Sequence, residues 1–146
     1  MSDHVNYLVD TNILLRFLMN DEAKQGTASK SLFEKAKSGS ITLHIPFIAI
    51  TETVFTLQSH YGIDRADIGR ELLKILNAPG VTLACPSWIV DALDEYRLRN
   101  VSFGDACLAA EARIDGLAIA SFDKGLGKFT GVLRYDPLIR RTFPSS

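Results

Sequence analysis

Four acidic residues stand out because each lies within an otherwise apolar segment. They are Asp10 in "NYLVDTNILLRFL", Glu52 in "PFIAITETVFTL", Asp105 in "SFGDACLAAEA" and Asp123 in "AIASFDKG". A carboxylate in such a setting is costly unless it is paired, hydrogen-bonded or bound to a metal, and grouped carboxylates resist ionisation unless a cation joins them. Carboxylate oxygens without His or Cys suit Mg²⁺ or Mn²⁺ rather than zinc. An acidic, metal-filled cleft of this kind is a common device for hydrolysing phosphodiesters, although the residues by themselves predict only an acidic Mg²⁺ site.

Each acid also has a purely structural explanation when it is taken alone. Asp10 or Thr11 could be the N-cap of the helix that follows the first strand, and Asp123 could likewise be an N-cap. Ser102 and Asp105 have the spacing of a capping box. Glu52 is harder to explain, because it would project from a mostly apolar helix face: a solvated edge position is possible, but an acid in the middle of such a face usually has a partner. Its helical neighbours at spacings of three and four are Ile48, Ala49, Phe55 and Thr56.

Strand and helix patterns alternate along the whole chain. The apolar patterns predict strands at 5–9, 41–45, 81–84, 117–120 and 132–134, and helices at 10–20, 22–37, 46–60, 68–76, 89–96 and 102–115. This alternation predicts an α/β fold with a mostly parallel sheet covered by helices on both faces. Ligands of such sheets bind beyond the carboxyl ends of the strands. Asp10 and Asp123 follow two of these ends, and converge if their strands are neighbours.

Composition and charge limit the class of protein. The chain has 146 residues, of which 47% are hydrophobic and 23% charged, and it has neither repeats nor linkers, so we expect one globular domain over residues 1–146. A net charge of −1 gives no general basic surface, although one local basic face would suffice for nucleic acid. Two cysteines outside any metal-binding spacing favour the cytoplasm. We expect neither a signal peptide nor a membrane span, and a loose "TFPSS" terminus.

Two classes of phosphoryl-accepting α/β protein are disfavoured by the first motif. Haloacid-dehalogenase-like phosphatases need a second acid two residues after the nucleophile, where this chain has Asn12. Response-regulator receivers need an adjacent pair of acids after the first strand, whereas "VDTN" supplies one.

Four motifs in order give the chain a family resemblance. The segments "YLVDTNILLRFL", "ITETVF", "SFGDACLAA" and "ASFDKGLGKF" resemble those of PIN-domain ribonucleases, and most of all the VapC-type toxins of bacterial and archaeal toxin–antitoxin pairs. The resemblance extends from residue 5 to about residue 135. It implies a catalytic site of Asp10, Glu52, Asp105 and Asp123, Mg²⁺ or Mn²⁺ ligands at Asp10, Asp105 and Asp123, and supporting polar residues at Asn12 and Ser121. The chain departs from the family at Ser102 and Gly125, where many relatives are more acidic.

The resemblance also implies an architecture and partners. It implies a PIN-like three-layer sandwich with about five mostly parallel strands, endoribonuclease activity on RNA, frequent homodimers, and a cognate antitoxin whose tail occupies the cleft. An RNA-processing nuclease without an antitoxin, and an inactive PIN-like module that binds a partner, remain alternatives.

Two surfaces could serve these partners. The apolar helical surface from Ile13 to Phe33 could bind a second copy or the antitoxin, but packing against the sheet is expected for most of it. Four basic residues could guide an RNA backbone, although solvated surface is the favoured interpretation: Arg97, Arg99, Lys124 and Lys128.

Overall fold

The structure, a computed structural model, describes residues 4–144. Its strands are β1 (Val5–Leu8), β2 (Ile41–Pro46), β3 (Val81–Ala84), β4 (Ile119–Ala120), β5 (Leu133–Asp136) and β6 (Arg141–Pro144). Its α-helices are α1 (Thr11–Met19), α2 (Ala23–Lys37), α3 (Phe47–Ser59), α4 (Arg65–Leu76), α5 (Trp88–Leu98) and α6 (Phe103–Asp115), and a 3₁₀ turn covers Lys124–Lys128. The contacts divide the chain into two compact units whose boundary falls between Ser87 and Trp88.

The first unit is built on a parallel sheet of three strands in the order β1-β2-β3. Alternation along the central strand β2 directs Ile41, Leu43 and Ile45 to one face, where they are buried. Helices α2 and α3 contact this strand, and α4 contacts β3. The apolar side chains buried in these helices include Ala36, Ala49, Ile50, Val54, Leu57, Ile68 and Leu72.

The edge strand β1 is exposed, and this corrects one expectation from the sequence. The apolar residues around Asp10 predicted buried core at this point of the chain. Val9 is buried, but Leu8 is 69% exposed and Asp10 is also exposed. Polar pairs link β1 to β2 instead: His4 bonds Thr42 at 2.7 Å, and Asn6 bonds His44 at 2.9 Å. The apolar run before Asp10 thus forms an exposed strand at the edge of this sheet, and Asp10 lies at the surface just after the strand ends.

The second unit pairs two helices and a small mixed sheet. Helix α5 packs on α6, with Ile89, Leu93 and Tyr96 buried on α5. Strand β4 pairs in parallel with β5, and β5 pairs antiparallel with β6. Helix α6 begins after its N-cap Ser102 and ends at Gly116, whose φ of +66° is a left-handed conformation that glycine adopts without strain.

The α/β class is confirmed, and the described strands form two three-stranded sheets. The sequence placed the helices to within a few residues, but it predicted too long a fourth strand and a fifth that began and ended too early. It missed β6, because Thr142 to Pro144, expected to be loose, pair with β5. Ser145 and Ser146 lie outside the described residues. Among the residues that the structure describes, no helix is both long enough and apolar enough to cross a membrane.

Candidate acidic site

Asp10 stands at the junction between β1 and α1. It is the N-cap of α1, with φ −79° and ψ 155°, and its backbone carbonyl accepts a 3.0 Å bond from the Ile13 amide. Its side chain caps no amide, however, and no donor within residues 4–144 reaches its carboxylate. The structural explanation therefore accounts for the backbone of Asp10 and leaves its exposed carboxylate available.

Glu52 has the partner that its apolar surroundings predicted. The hydroxyl of Thr11 donates a 2.8 Å hydrogen bond to Glu52 Oε2. Because Thr11 directly follows Asp10, this bond brings the Glu52 carboxylate to the first turn of α1. The apolar face around Glu52 is not core: Ile48 is 60% exposed and Phe55 is 70% exposed.

Asp105 lies in the first turn of α6 and forms half of the expected capping box. The Asp105 amide donates to Ser102 Oγ at 3.1 Å. The reciprocal bond, from the Ser102 amide to the Asp105 carboxylate, does not occur in the described structure. The capping box was the structural explanation that the sequence offered for Asp105, but the cap uses only its backbone. The half-buried carboxylate of Asp105 is available for chemistry.

Asp123 is held in a tight turn after β4. Its Oδ1 accepts a 2.8 Å bond from the Gly125 amide, and its own amide donates to Ser121 Oγ at 2.9 Å. The predicted N-cap is confirmed, since Asp123 caps the 3₁₀ turn with one oxygen and keeps the other. A Cβ at Gly125 would lie 3.0 Å from Asp123 Oδ1, which explains a small residue at that position.

The remaining predicted residues differ in their contacts. The Ser121 hydroxyl accepts a hydrogen bond from the Asp123 backbone amide. The exposed side-chain amide of Asn12 makes no hydrogen bond to the described residues. Among the basic residues, Arg97 pairs with Asp94, and Arg99 pairs with Glu95 and donates to the Lys128 carbonyl. Lys124 and Lys128 are exposed on the turn that Asp123 caps.

Sequence reasoning missed three residues that contact this machinery. Thr11 was considered only as a cap, although a hydroxyl beside an acid at a strand end is a usable signal. Arg134 and Asp136 were not considered. They are buried, and Arg134 donates to the Ser121 carbonyl. Opposite charges two positions apart in the strand "LRYD" lie on one face of it, and that was the signal.

The four acids offer only carboxylate oxygens as metal ligands, and such ligands suit Mg²⁺ or Mn²⁺. Asp10 and Glu52 belong to the first unit, and Asp105 and Asp123 to the second. Within the described part of the chain, no three His, Cys, Asp or Glu side chains are grouped so as to hold a metal ion. The donor chemistry therefore fits such a metal, and the grouping of all four acids remains a prediction.

Comparison with known proteins identifies the family. The PIN domain family matches residues 7–132, a range that includes all four acids. The chain is also 30% identical over 122 residues to a protein described as VapC ribonuclease from Aquifex aeolicus (strain VF5), and the match covers 83% of this chain and 90% of that relative. The match extends through both units, while the expectation of a single domain stays a prediction. The chain belongs to the PIN-domain family, and its resemblance to the VapC-type members is confirmed.

Proposed function

We propose that this protein is a Mg²⁺- or Mn²⁺-dependent endoribonuclease and the toxin component of a toxin–antitoxin pair. One observation carries the proposal: each of the four motif acids keeps at least one carboxylate oxygen without a partner among the described residues, although each had a structural explanation. Membership of the PIN-domain family and the name of the relative, a ribonuclease, support it.

The four acids would divide the work between holding the metal and moving a proton. Asp10, Asp105 and Asp123 would hold the ion through oxygens that no cap occupies. A bound metal supplies positive charge that polarises the phosphate and lowers the pKa of water. Thr11 would fix Glu52 through Oε2, which leaves Oε1 to take a proton from the attacking water as general base. The water oxygen would then bond to phosphorus, the P–O bond to the leaving sugar oxygen would break, and that oxygen would take the proton that Glu52 had accepted.

The test is an RNA cleavage assay with matched aspartate variants. Wild-type protein should cleave total RNA with Mg²⁺ and stop when EDTA is added. Asp10→Asn should nearly abolish cleavage. Asp64→Asn is the matched control, because Asp64 is also an exposed N-cap aspartate without a side-chain cap bond, and it should cleave as the wild type does. Cleavage that survives EDTA or the Asp10 substitution would overturn the proposal.

The partners of this activity rest on the family resemblance. The packing expected for the 13–33 surface is found at Leu14, Leu15 and Phe33, which are buried, and Phe17 stacks on Phe33 with ring centroids 4.3 Å apart. We propose a homodimer and an inhibitory antitoxin in the cytoplasm. Light scattering over a wide concentration range tests the first, and loss of cleavage on co-expression with a small neighbouring gene product tests the second.

A further inference from the structure

The second unit buries an ion pair that the reaction described above does not use. Arg134 and Asp136 are each 7% exposed, and they are the buried charged residues of the described chain. Arg134 Nη1 lies 3.4 Å from Asp136 Oδ2. Burying two charges costs more than their attraction returns unless further hydrogen bonds satisfy them. The other contacts of the pair therefore indicate its role.

The further contact of Arg134 leads to the acidic turn. Arg134 Nη1 donates a 3.0 Å bond to the backbone carbonyl of Ser121. The Ser121 amide donates to the Tyr135 carbonyl at 2.9 Å, and the Ser121 hydroxyl accepts from the Asp123 amide at 2.9 Å. Each polar group of Ser121 is thus engaged, and its hydroxyl fixes the backbone from which the Asp123 carboxylate projects.

Arg134 is itself held on two sides. Asp136, its ion-pair partner, accepts a 2.9 Å bond from the Leu138 amide through Oδ1, so the carboxylate is also fixed. The Arg134 guanidinium lies over the Phe143 ring, 5.0 Å from its centroid, and Phe143 is opposite Arg134 in the β5–β6 ladder. A guanidinium restrained in this way loses little further entropy when it binds a carbonyl.

The need for this contact follows from the shortness of β4. Strand β4 pairs with β5 through only Ile119 and Ala120, so little ladder holds the chain that leads to Asp123. We propose that Arg134 is a positioning residue for Asp123: by holding the Ser121 carbonyl, it sets the direction of a carboxylate that binds the metal. The inference rests on the proposed function only in taking Asp123 as a metal ligand.

The test compares two variants that differ only at Arg134. Asp136→Asn removes the ion pair but keeps the Arg134 bond to Ser121. The double variant Arg134→Met with Asp136→Asn removes that bond as well and leaves no unpaired buried carboxylate. Calorimetric titration with Mn²⁺ measures metal affinity without RNA, cleavage at varied Mg²⁺ measures its use, and thermal melting tests folding. The double variant should bind Mn²⁺ about tenfold more weakly than Asp136→Asn does, as is usual when a residue behind a metal ligand is lost.

The outcomes separate this inference from the proposed function. Equal Mn²⁺ affinity in the two folded variants overturns the positioning role and leaves Arg134 a purely structural residue. If the double variant fails to fold, Arg134→Lys, which keeps the charge beside Asp136, must show the weaker Mn²⁺ binding or the inference fails. A wild type that binds Mn²⁺ but cleaves no RNA overturns the proposed function, while the titrations still decide this inference. A wild type that binds no Mn²⁺ overturns both.

Discussion

Thr11 Oγ1 donates a 2.8 Å hydrogen bond to Glu52 Oε2 across 41 positions of sequence, joining the first turn of α1 to the middle of α3. Glu52 is exposed, so this bond, rather than burial, restricts its rotamers. The adjacent residue is Asp10. The hydroxyl of Thr11 therefore places the Glu52 carboxylate at the helix end where Asp10 is the N-cap.

We expect Thr11→Val to lower kcat for RNA cleavage by roughly tenfold, in the range seen when a residue that orients a site ligand is removed. Valine has the shape of threonine but lacks the donor, so Glu52 loses its orientation. Thr11→Ser keeps the hydroxyl and should cleave nearly as well as wild type. Steady-state cleavage kinetics, with melting curves for both variants, measure this. Equal kcat values for the two variants would remove Thr11 from the site.

Two glycines in one turn allow a matched experiment on Asp123. A Cβ at Gly125 would lie 3.0 Å from Asp123 Oδ1, whereas a Cβ at Gly127 meets nothing within 4 Å. We expect Gly125→Ala to displace the Asp123 carboxylate and to weaken the Mg²⁺ dependence of cleavage several-fold. Gly127→Ala should leave that dependence unchanged, because its added Cβ meets no other atom. Neither glycine has a positive φ, so alanine is not strained at either position. Mg²⁺ titrations of cleavage distinguish the two.

Substitutions at Ser102 and Asp105 should have different effects: one should lower stability and the other should lower cleavage activity. Ser102→Ala removes the oxygen that caps the Asp105 amide and should lower the free energy of unfolding by about 1 kcal/mol. Asp105→Asn keeps that amide and should unfold close to wild type, while losing nearly all cleavage. Denaturant unfolding and cleavage assays on both variants measure this. A large loss of stability in Asp105→Asn would assign its carboxylate a structural role.

The pH dependence of stability should report on Asp21. Tyr61 donates to Asp21 Oδ2 at 2.7 Å and Arg16 binds Oδ1 at 2.8 Å. The Tyr61 bond, together with Arg16, holds the pKa of Asp21 below its ordinary value despite some burial. A depressed carboxyl pKa stabilises the fold above the unfolded pKa, near about 4, and this contribution is lost as pH falls through the folded value.

Asp21→Asn removes that titration. Between about pH 6 and about pH 3, wild type should therefore lose more unfolding free energy than the variant, with Tyr61→Phe between them. Denaturant unfolding at a series of pH values measures the difference. Parallel pH curves for wild type and Asp21→Asn would show that the Asp21 contacts contribute nothing to the fold.

The fold was predictable where local periodicity decides it. Helices α2, α4 and α6 carry their stop signals in sequence, and β3 was placed with its observed bounds. Strand β6 was not predictable, because its pairing with β5 is a tertiary contact and its four residues are too few to show a strand pattern by themselves. Likewise, the pattern around Asp10 is the same for a buried strand and for an exposed sheet edge. Which neighbour covers a strand is information that its own residues do not carry.

The residue types of the candidate site could be predicted from the sequence, but the contacts that hold them could not. The motifs gave the four acids and Ser121, but the Thr11 bond to Glu52 and the Arg134 bond to Ser121 join segments far apart in sequence or on different strands. Capping was predicted as a property of side chains, whereas at Asp10 and Asp105 only the backbone takes part. The carboxylates of these two acids are therefore left without a cap bond.

The last prediction concerns metal and stability. Without metal, the four carboxylates should repel one another if they are grouped, so we expect the apo protein to be strained at neutral pH, and the exposure of three of them lets water and salt weaken that repulsion. Metal should still bind the native state alone, and free Mg²⁺ at about a hundred times its Kd should raise the unfolding free energy by roughly 2.7 kcal/mol.

Asp123→Asn is the variant of choice, because an asparagine oxygen still accepts the Gly125 amide bond and preserves the turn. Its stability in EDTA should therefore match or slightly exceed that of wild type, and its gain with Mg²⁺ should be much smaller, because one charged ligand is gone. Melting of both proteins in EDTA and in excess Mg²⁺ measures the four values. Equal Mg²⁺ responses, with the variant less stable in EDTA, would make Asp123 a cap for the 3₁₀ turn and not a metal ligand.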